Sequence, residues 1–198
     1  MPPRRRGGRC ANERGPALVG GAKAGGALKL LGLTGWSGSG KTTLLVALVR
    51  LFIARGLSVS TVKHAHHGFD LDRPGKDSWR HREAGAAEVL ICSGARWALL
   101  HELHGDEPRL ADLLARLAPV DLVLVEGFKA NPHPKIEVHR PALARPPLWP
   151  GRADIVAVAA DAALPGCDRP VLPLNEPASV ADWALAFLHR DGAVDRNA

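Results

Sequence analysis

The stretch LKLLGLTGWSGSGKTTLLVALVRLFIARG, residues 28–56, decides the fold. Its short apolar run at 28–33 is typical of a buried strand, and leucines at helical spacing follow the glycine-rich centre until Gly56. The centre satisfies the pattern G-x-x-x-x-G-K-[ST] at Gly35, Gly40, Lys41 and Thr42. Strand, glycine-rich loop and helix in this order predict a phosphate-binding loop of the P-loop type.

The chemistry of this loop requires these residue types. Glycines let the backbone curl, so that successive N–H groups point at phosphate oxygens, and the positive end of the helix dipole lies beside them. Lys41 can bridge the β- and γ-phosphates, and the Thr42 hydroxyl can ligate Mg²⁺. The predicted contacts to a nucleoside triphosphate are Gly35, Ser37, Gly38, Ser39, Gly40, Lys41, Thr42 and Thr43.

A second acidic group for the metal is predicted in APVDLVLVEGFK, residues 118–129. The continuous apolar run 122–125 is typical of a central parallel strand, and Glu126 stands at its carboxyl end, where ligands bind in open α/β sheets. We expect Glu126 to hold Mg²⁺ together with Thr42, or to polarise the attacking group. Gly127 lets the backbone pass close to the phosphates.

The remaining chain alternates between strand and helix patterns. The predicted fold is therefore α/β, with a mostly parallel sheet and helices on both faces. The turn SGAR at 93–96 is too short for a crossover, so the strands on its two sides are predicted to form an antiparallel hairpin at one side of the sheet. The proline-rich stretch HRPALARPPLWPG, residues 139–151, is predicted to be loop.

The positive charge is concentrated in the first 27 residues. Of the formal net charge of +6, the segment 1–27 holds six basic residues and one acidic residue, so the predicted domain at 28–198 is close to neutral. We expect a disordered basic tail and no nucleic-acid binding by the domain. We expect no membrane span, and the three widely spaced cysteines favour a reducing cytoplasm.

A histidine- and aspartate-rich segment follows the second predicted strand: KHAHHGFDLDRPGKDSWRHREAGA, residues 63–86. It is open to three interpretations: a transition-metal site at His64, His66 and His67, a solvated loop, or a segment that faces nucleotide or substrate. We favour the last, because the segment begins on the same edge of the sheet as the phosphate loop. Its candidate switch or partner-facing residues are Lys63, His64, His66, His67, Asp70, Asp72, Lys76 and Asp77.

With GWSGSGKTTL, RWALLHE, DLVLVEGFK and PKIEVHR, this segment resembles the MobB family of molybdopterin-guanine dinucleotide biosynthesis adaptor proteins. The resemblance runs from about residue 28 to the terminal helix. It implies a GTP-binding protein with Mg²⁺ as cofactor and weak GTPase activity, in which Asp77 and Glu126 serve hydrolysis. It also implies a homodimer, a MobA-type guanylyltransferase as partner, and molybdopterin as a further ligand.

The resemblance implies guanine recognition, but the sequence has no known guanine-binding motif. The sequence contains no N-K-x-D pattern. The stretch VAVAADAALPG, residues 156–166, lies where the base sits in such a fold, and Asp161 is the candidate acceptor for the guanine N1 and N2 groups.

Two other functions remain open at the level of sequence. In a small-molecule kinase, Asp70 or Asp72 would serve as the base, and turnover would be roughly 1 to 100 per second. In a nickel metallochaperone GTPase, the histidine cluster would bind the metal, and His64→Ala and His66→Ala would abolish stoichiometric nickel binding.

Overall fold

The computed structural model describes residues 28–65, 69, 71–190 and 193–194. The predicted tail at 1–27 lies outside these residues, as do His66, His67 and Asp70. The strands are β1 (Leu28–Thr34), β2 (Val59–Lys63), β3 (Glu88–Cys92), β4 (Trp97–His101), β5 (Leu122–Glu126), β6 (Lys135–His139), β7 (Ile155–Ala160), β8 (Val171–Pro173) and β9 (Ala193–Val194). The helices are α1 (Lys41–Ala54), α2 (Asp77–Glu83), α3 (Leu110–Leu114) and α4 (Pro177–Arg190).

The main sheet is mostly parallel, as predicted. Its strand order is β2-β5-β1-β6-β7-β8, all parallel, and the short β9 pairs antiparallel with the start of β1. The order places β1 between β5 and β6, so the loop after β1 lies between the carboxyl ends of two neighbouring strands. Leu33 pairs with Glu126 in this register, which brings the predicted acidic residue beside the phosphate loop.

Helices pack on both faces of the sheet. The larger core lies under α1 and α4, with Phe52 and Leu48 of α1 fully buried, and α1 packs against α4, β1, β2 and β5. A smaller cluster on the other face joins Leu110 of α3 to Val123 and Val125 of β5. The sequence PRLADLLARLAP at 108–119 has leucines at the spacing of an amphipathic helix, but α3 ends at Leu114. After Leu114 the backbone tightens into 3₁₀-type bonds before Pro119.

The predicted hairpin forms, but it is not an edge of the main sheet. Among the residues that the structure describes, β3 and β4 pair only with each other, in a two-stranded antiparallel sheet next to α2. Leu90 pairs with Leu99, and Cys92 pairs with Trp97, so these four side chains share one face of the hairpin. That face is exposed, whereas Val89 on the opposite face is buried.

Three short elements were not predicted. β9 follows the terminal helix and pairs with the start of β1. β8 lies at an edge of the sheet, directly after Pro170, and ends at Pro173. Prolines in a sequence usually indicate a loop, and within a sheet they are tolerated mainly on edge strands. A 3₁₀ turn at Pro141–Leu143 lies in the predicted proline-rich loop. Within the described residues, no helix has the length and apolar character to cross a membrane.

Candidate functional site

The phosphate loop has the backbone shape that its glycines permit. Gly35, Gly38 and Gly40 have φ angles of +141°, +80° and +99°, a region that residues with a β-carbon rarely adopt. A β-carbon on Gly35 would lie 2.4 Å from the Val138 carbonyl oxygen of β6, so glycine is also required there for space. The helix α1 starts at Lys41, immediately after the loop.

Lys41 closes the loop on itself. Its Nζ donates to the carbonyl oxygen of Trp36 at 2.8 Å. Burial lowers the pKa of the Lys41 ammonium, with Glu126 opposing the shift and the positive charges of Lys129 and Lys63 adding to it. Three ammonium groups therefore share one electrostatic neighbourhood, which favours a polyanion.

Thr42 and Glu126 meet as the motifs predict. The Thr42 hydroxyl donates to Glu126 Oε1 at 2.9 Å, and Glu126 is only 9% exposed. The Nζ of Lys63, at the end of β2, lies 3.9 Å from the same carboxylate oxygen. A hydroxyl and a carboxylate oxygen side by side at the mouth of a phosphate loop are the donor set that Mg²⁺ takes when phosphates complete its shell.

The backbone after Glu126 is held in an unusual conformation. Gly127 and Phe128 both have positive φ, +96° and +47°. A β-carbon on Gly127 would lie 2.8 Å from the Cβ of His64, because His64 donates its backbone N–H to the Glu126 carbonyl at 2.9 Å. The Phe128 ring packs on the His64 ring with 4.8 Å between centroids. These contacts fix the loops after β2 and β5 against each other beside the Glu126 carboxylate.

The described part of the 63–86 segment divides between the site and a structural role. Lys63 and His64 lie at the carboxyl edge near Glu126, and His64 Nε2 also contacts the Glu107 carboxylate. Asp72 accepts a hydrogen bond at 3.0 Å from Arg82 of α2, and its side chain is 4% exposed, so it ties the segment to α2. Lys76 and Asp77 are exposed at the start of α2.

The metal interpretation of the histidines receives no support from the part of the chain that the structure describes. No group of three or more histidine, cysteine, aspartate or glutamate side chains there could hold a metal ion. The predicted ligands His66 and His67 lie outside the described residues, so the nickel hypothesis stays a hypothesis.

Asp161, the candidate guanine acceptor, follows β7 and is engaged by another residue. Its carboxylate forms an ion pair with Arg140, whose side chain is 34% exposed and which follows β6. Arg140 Nε also donates to the Ser39 carbonyl of the phosphate loop at 3.0 Å. Sequence reasoning assigned no role to Arg140, although it is the last residue of the quoted motif PKIEVHR.

The strand β6 carries a buried polar face that the sequence did not predict. The ammonium of Lys135 is fully buried, and it donates to Asp154 at 2.8 Å and to the His133 carbonyl at 3.0 Å. Burial raises the pKa of the Glu137 carboxyl, while hydrogen bonds from the backbone N–H groups of Leu148 and Trp149 oppose the shift. An alternating strand pattern usually predicts that the polar face meets solvent.

The fold and the site together place the chain in the class of proteins with the P-loop NTPase fold. Its phosphate loop precedes α1, and a carboxylate from the neighbouring strand meets the loop threonine. Residues 30–161 match the family model of MobB, molybdopterin guanine dinucleotide synthesis protein B, and the chain belongs to this family.

Curated relatives and a solved structure agree with this assignment. The chain is 44% identical over 165 residues to the molybdopterin-guanine dinucleotide biosynthesis adapter protein of Haemophilus influenzae, covering 82% of this chain and 90% of that protein. It is 38% identical over 167 residues to the adapter protein of Escherichia coli, covering 82% and 95%. The crystal structure of a MobB protein homolog from Bacillus stearothermophilus superposes with a TM-score of 0.61 at 28% identity, covering 81% and 97%.

Proposed function

We propose that this MobB-family chain binds GTP with Mg²⁺ and acts as an adapter for a MobA-type guanylyltransferase in molybdopterin-guanine dinucleotide biosynthesis, in the cytoplasm. The observation that carries the nucleotide part is the hydrogen bond between the Thr42 hydroxyl and Glu126 at the end of the phosphate loop. The adapter part rests on family membership and on the similarity to the adapter proteins of Haemophilus influenzae and Escherichia coli.

The residues divide the binding task by their chemistry. Backbone N–H groups of the loop and the Lys41 ammonium meet the phosphates, and Thr42 and Glu126 hold the metal ion. When bound, Mg²⁺ neutralises negative charge on the phosphate oxygens. Since the Glu126 carboxylate is bonded to Thr42 and is assigned to the metal ion, we expect slow hydrolysis in the absence of a partner.

Titration calorimetry tests the nucleotide proposal directly. We expect GTP to bind more tightly than ATP, and to bind more weakly in EDTA than in Mg²⁺. Glu126→Gln should remove most of the Mg²⁺ dependence, because an amide is a weaker metal ligand than a carboxylate. Glu83→Gln, an exposed position on α2, is the matched control and should behave as wild type. Equal affinities for GTP and ATP would contradict the guanine preference.

The adapter proposal needs a different measurement. Guanylyl transfer to molybdopterin by a purified MobA-type enzyme should rise when the wild-type chain and GTP are added. The chain should form a complex with that enzyme in sedimentation experiments. A rate that is unchanged at every concentration of the chain would contradict the adapter role, even if GTP binding is found.

A homodimer through the hairpin is the second part of the proposed assembly. Leu90, Trp97 and Leu99 share one face of the β3–β4 hairpin and are 61%, 65% and 42% exposed. A second copy that covers this face would remove a contiguous apolar patch from water. We expect a dimer in analytical ultracentrifugation, and a monomer for Trp97→Asp combined with Leu99→Lys. A wild-type monomer at high concentration would contradict the proposal.

A further inference from the structure

The connection between β6 and β7, residues 140–154, touches the phosphate loop at two points. The indole Nε1 of Trp36 donates to the Pro146 carbonyl at 2.7 Å, and Arg140 Nε donates to the Ser39 carbonyl at 3.0 Å. Trp36 and Ser39 are both variable positions of the phosphate-loop pattern. The connection therefore holds the loop through residues that the motif itself does not specify.

The connection is itself fixed to the sheet by a buried carboxylate. Glu137 of β6 accepts hydrogen bonds from the backbone N–H groups of Leu148 and Trp149, at 2.9 and 2.8 Å. The Trp149 ring packs edge-on against His139, with 5.4 Å between centroids. Since Glu137, His139 and Trp149 are all buried, the connection has a rigid base from which to hold the loop.

The Arg140 guanidinium joins three segments. The Nε of Arg140 bonds the phosphate loop, and its Nη1 bonds Asp161 after β7. The residue itself follows β6. An arginine placed between a carbonyl and a carboxylate is restrained in position and direction, because the planar guanidinium presents its donors in a fixed arrangement.

The bond to Ser39 determines which way the next N–H group points. In a trans peptide the carbonyl oxygen and the following N–H point in opposite directions, so fixing the Ser39 oxygen toward Arg140 turns the Gly40 N–H away from it. A charged donor on the carbonyl also polarises the peptide and strengthens the Gly40 N–H as a donor. Gly40, with φ of +99°, has the conformational freedom to lose this orientation when the restraint is removed.

We propose that Arg140 is a positioning residue of the phosphate loop, held in place by Asp161, and that it orients the Gly40 N–H for phosphate binding. The proposal rests on the proposed nucleotide function. In this proposal Asp161 acts by holding Arg140, so its effect does not depend on the base of the nucleotide. A role in guanine recognition would depend on the base. Neither side chain needs to touch the nucleotide for the effect to occur.

A double-mutant cycle tests the coupling. Arg140→Ala should weaken GTP binding about tenfold or more, which corresponds to the loss of one charge-assisted hydrogen bond. Asp161→Ala should have a similar effect, and the double variant should be little worse than either single variant. Additive losses, or an affinity of Arg140→Ala within about twofold of wild type, would overturn the proposal.

Arg169 provides the matched control. Its Nε donates to the Ile155 carbonyl at 2.9 Å and its Nη1 pairs with Asp168 at 3.0 Å, but Ile155 starts β7, at the opposite edge of the sheet from the phosphate loop. Arg169→Ala should leave GTP affinity unchanged. If it weakens binding as much as Arg140→Ala does, the effect is one of general stability and the proposal is wrong.

A spectroscopic measurement separates the positioning role from nucleotide binding. In the free protein, the ¹H–¹⁵N resonance of Gly40 should shift in Arg140→Ala and stay in place in Arg169→Ala. This readout remains informative if wild type binds no triphosphate, an outcome that would refute the proposed function alone.

If Arg140→Ala does not fold, Arg140→Lys serves instead, since one ammonium cannot reproduce the guanidinium's arrangement of donors. An unmoved Gly40 resonance in the folded variant overturns the proposal.

Base dependence distinguishes the two roles of Asp161. If Asp161 reads guanine, Asp161→Asn should lose GTP and gain XTP, because xanthine presents an oxygen in place of the guanine amino group. If Asp161 holds Arg140, Asp161→Asn and Asp161→Ala should change the affinities for GTP, ATP and XTP by the same factor. A selective change between GTP and XTP would contradict the positioning role.

Discussion

At the level of single residues, the two side chains assigned to phosphate and metal already have internal partners in the free protein. Lys41 bonds the Trp36 carbonyl, and Thr42 bonds Glu126. A phosphate and a metal ion would replace these two partners without a change in the secondary structure around them. Binding is therefore expected to exchange hydrogen bonds rather than to order a new element.

Lys41→Ala should weaken GTP binding by about a hundredfold or more, because a partly buried ammonium is lost from the phosphates. The domain should remain folded, since alanine is a good residue for the first turn of α1. Calorimetry and thermal unfolding measure the two effects. Lys29→Ala, on the same strand-loop-helix unit but at the start of β1, is the control and should retain wild-type affinity. Wild-type affinity of Lys41→Ala would contradict the phosphate-loop assignment.

Gly127→Ala should destabilise the fold by about 2 to 4 kcal/mol. The alanine would have a strained φ, and its β-carbon would clash with the loop after the neighbouring strand β2. The added carbon would meet the Cβ of His64 at 2.8 Å. Gly56→Ala has a similar φ, +82°, and no atom within 4 Å of the added carbon, so it should cost only about 1 kcal/mol. Urea unfolding of the two variants measures the difference, and equal costs would refute the role of close approach.

At the level of elements, α2 is the part of the 63–86 segment that packs against the hairpin. Its packing partner is β3, and Arg82 of α2 bonds the buried Asp72. No residue of α2 is fully buried. A short helix with an open surface, in a segment that begins at the carboxyl edge of the sheet, suits the switch or partner-facing role that we hypothesise for this segment.

Asp77→Ala should reduce partner-stimulated GTP hydrolysis by about tenfold or more while leaving GTP affinity within about twofold of wild type. GTP affinity should be preserved because Asp77 is exposed on the first turn of α2 and is not part of the phosphate loop at 35–42. Asp112→Ala removes the corresponding carboxylate from the first turn of α3 and controls for the effect on the helix. Phosphate release in the presence of the partner enzyme is the measurement. A wild-type stimulated rate would exclude a switch role for Asp77.

The strand β6 was predicted from the sequence, but the burial of its polar side chains was not. KIEVHR predicts a strand, and β6 is one. The burial of Lys135, Glu137 and His139 depends on the connection that covers them, which is proline-rich and has no apolar period. A pattern within the strand carries no information about a cover supplied by a distant loop.

At the level of the whole molecule, acid stability should depend on a buried histidine. Burial, followed by the charge of Lys135, lowers the pKa of His133 to about 3, with Asp154 opposing the shift. The unfolded chain therefore binds more protons than the folded one between about pH 6.5 and 3, so stability is present above pH 6.5 and is lost as the pH falls.

This linkage predicts a difference between wild type and His133→Gln. From pH 7 to pH 5, the free energy of unfolding of wild type should fall by up to about 2 kcal/mol more than that of the variant. Hydrogen bonds from Arg152 and Lys135 outweigh burial and hold the pKa of Asp154 below its usual range, so its titration lies outside this window. Urea unfolding at the two pH values measures the difference. Parallel pH dependences would contradict the assignment.

The sequence by itself determined the local features of this protein. Contiguous motifs specified the phosphate loop, the acidic residue at the end of β5, the alternation of strands and helices, and the family. Each of these depends on spacing along the chain, and glycine conformation and apolar period are properties of neighbouring residues.

Only the tertiary structure decided how the loop is held. Arg140 bonds Ser39 across 101 residues of sequence and Asp161 across 21, and no local pattern encodes contacts at such separations. The same holds for the separate hairpin sheet and for the buried polar face of β6. Adjacent residues specify the phosphate loop. Its orientation depends on Arg140 and Asp161, which meet the loop only when the parallel strands align their carboxyl ends.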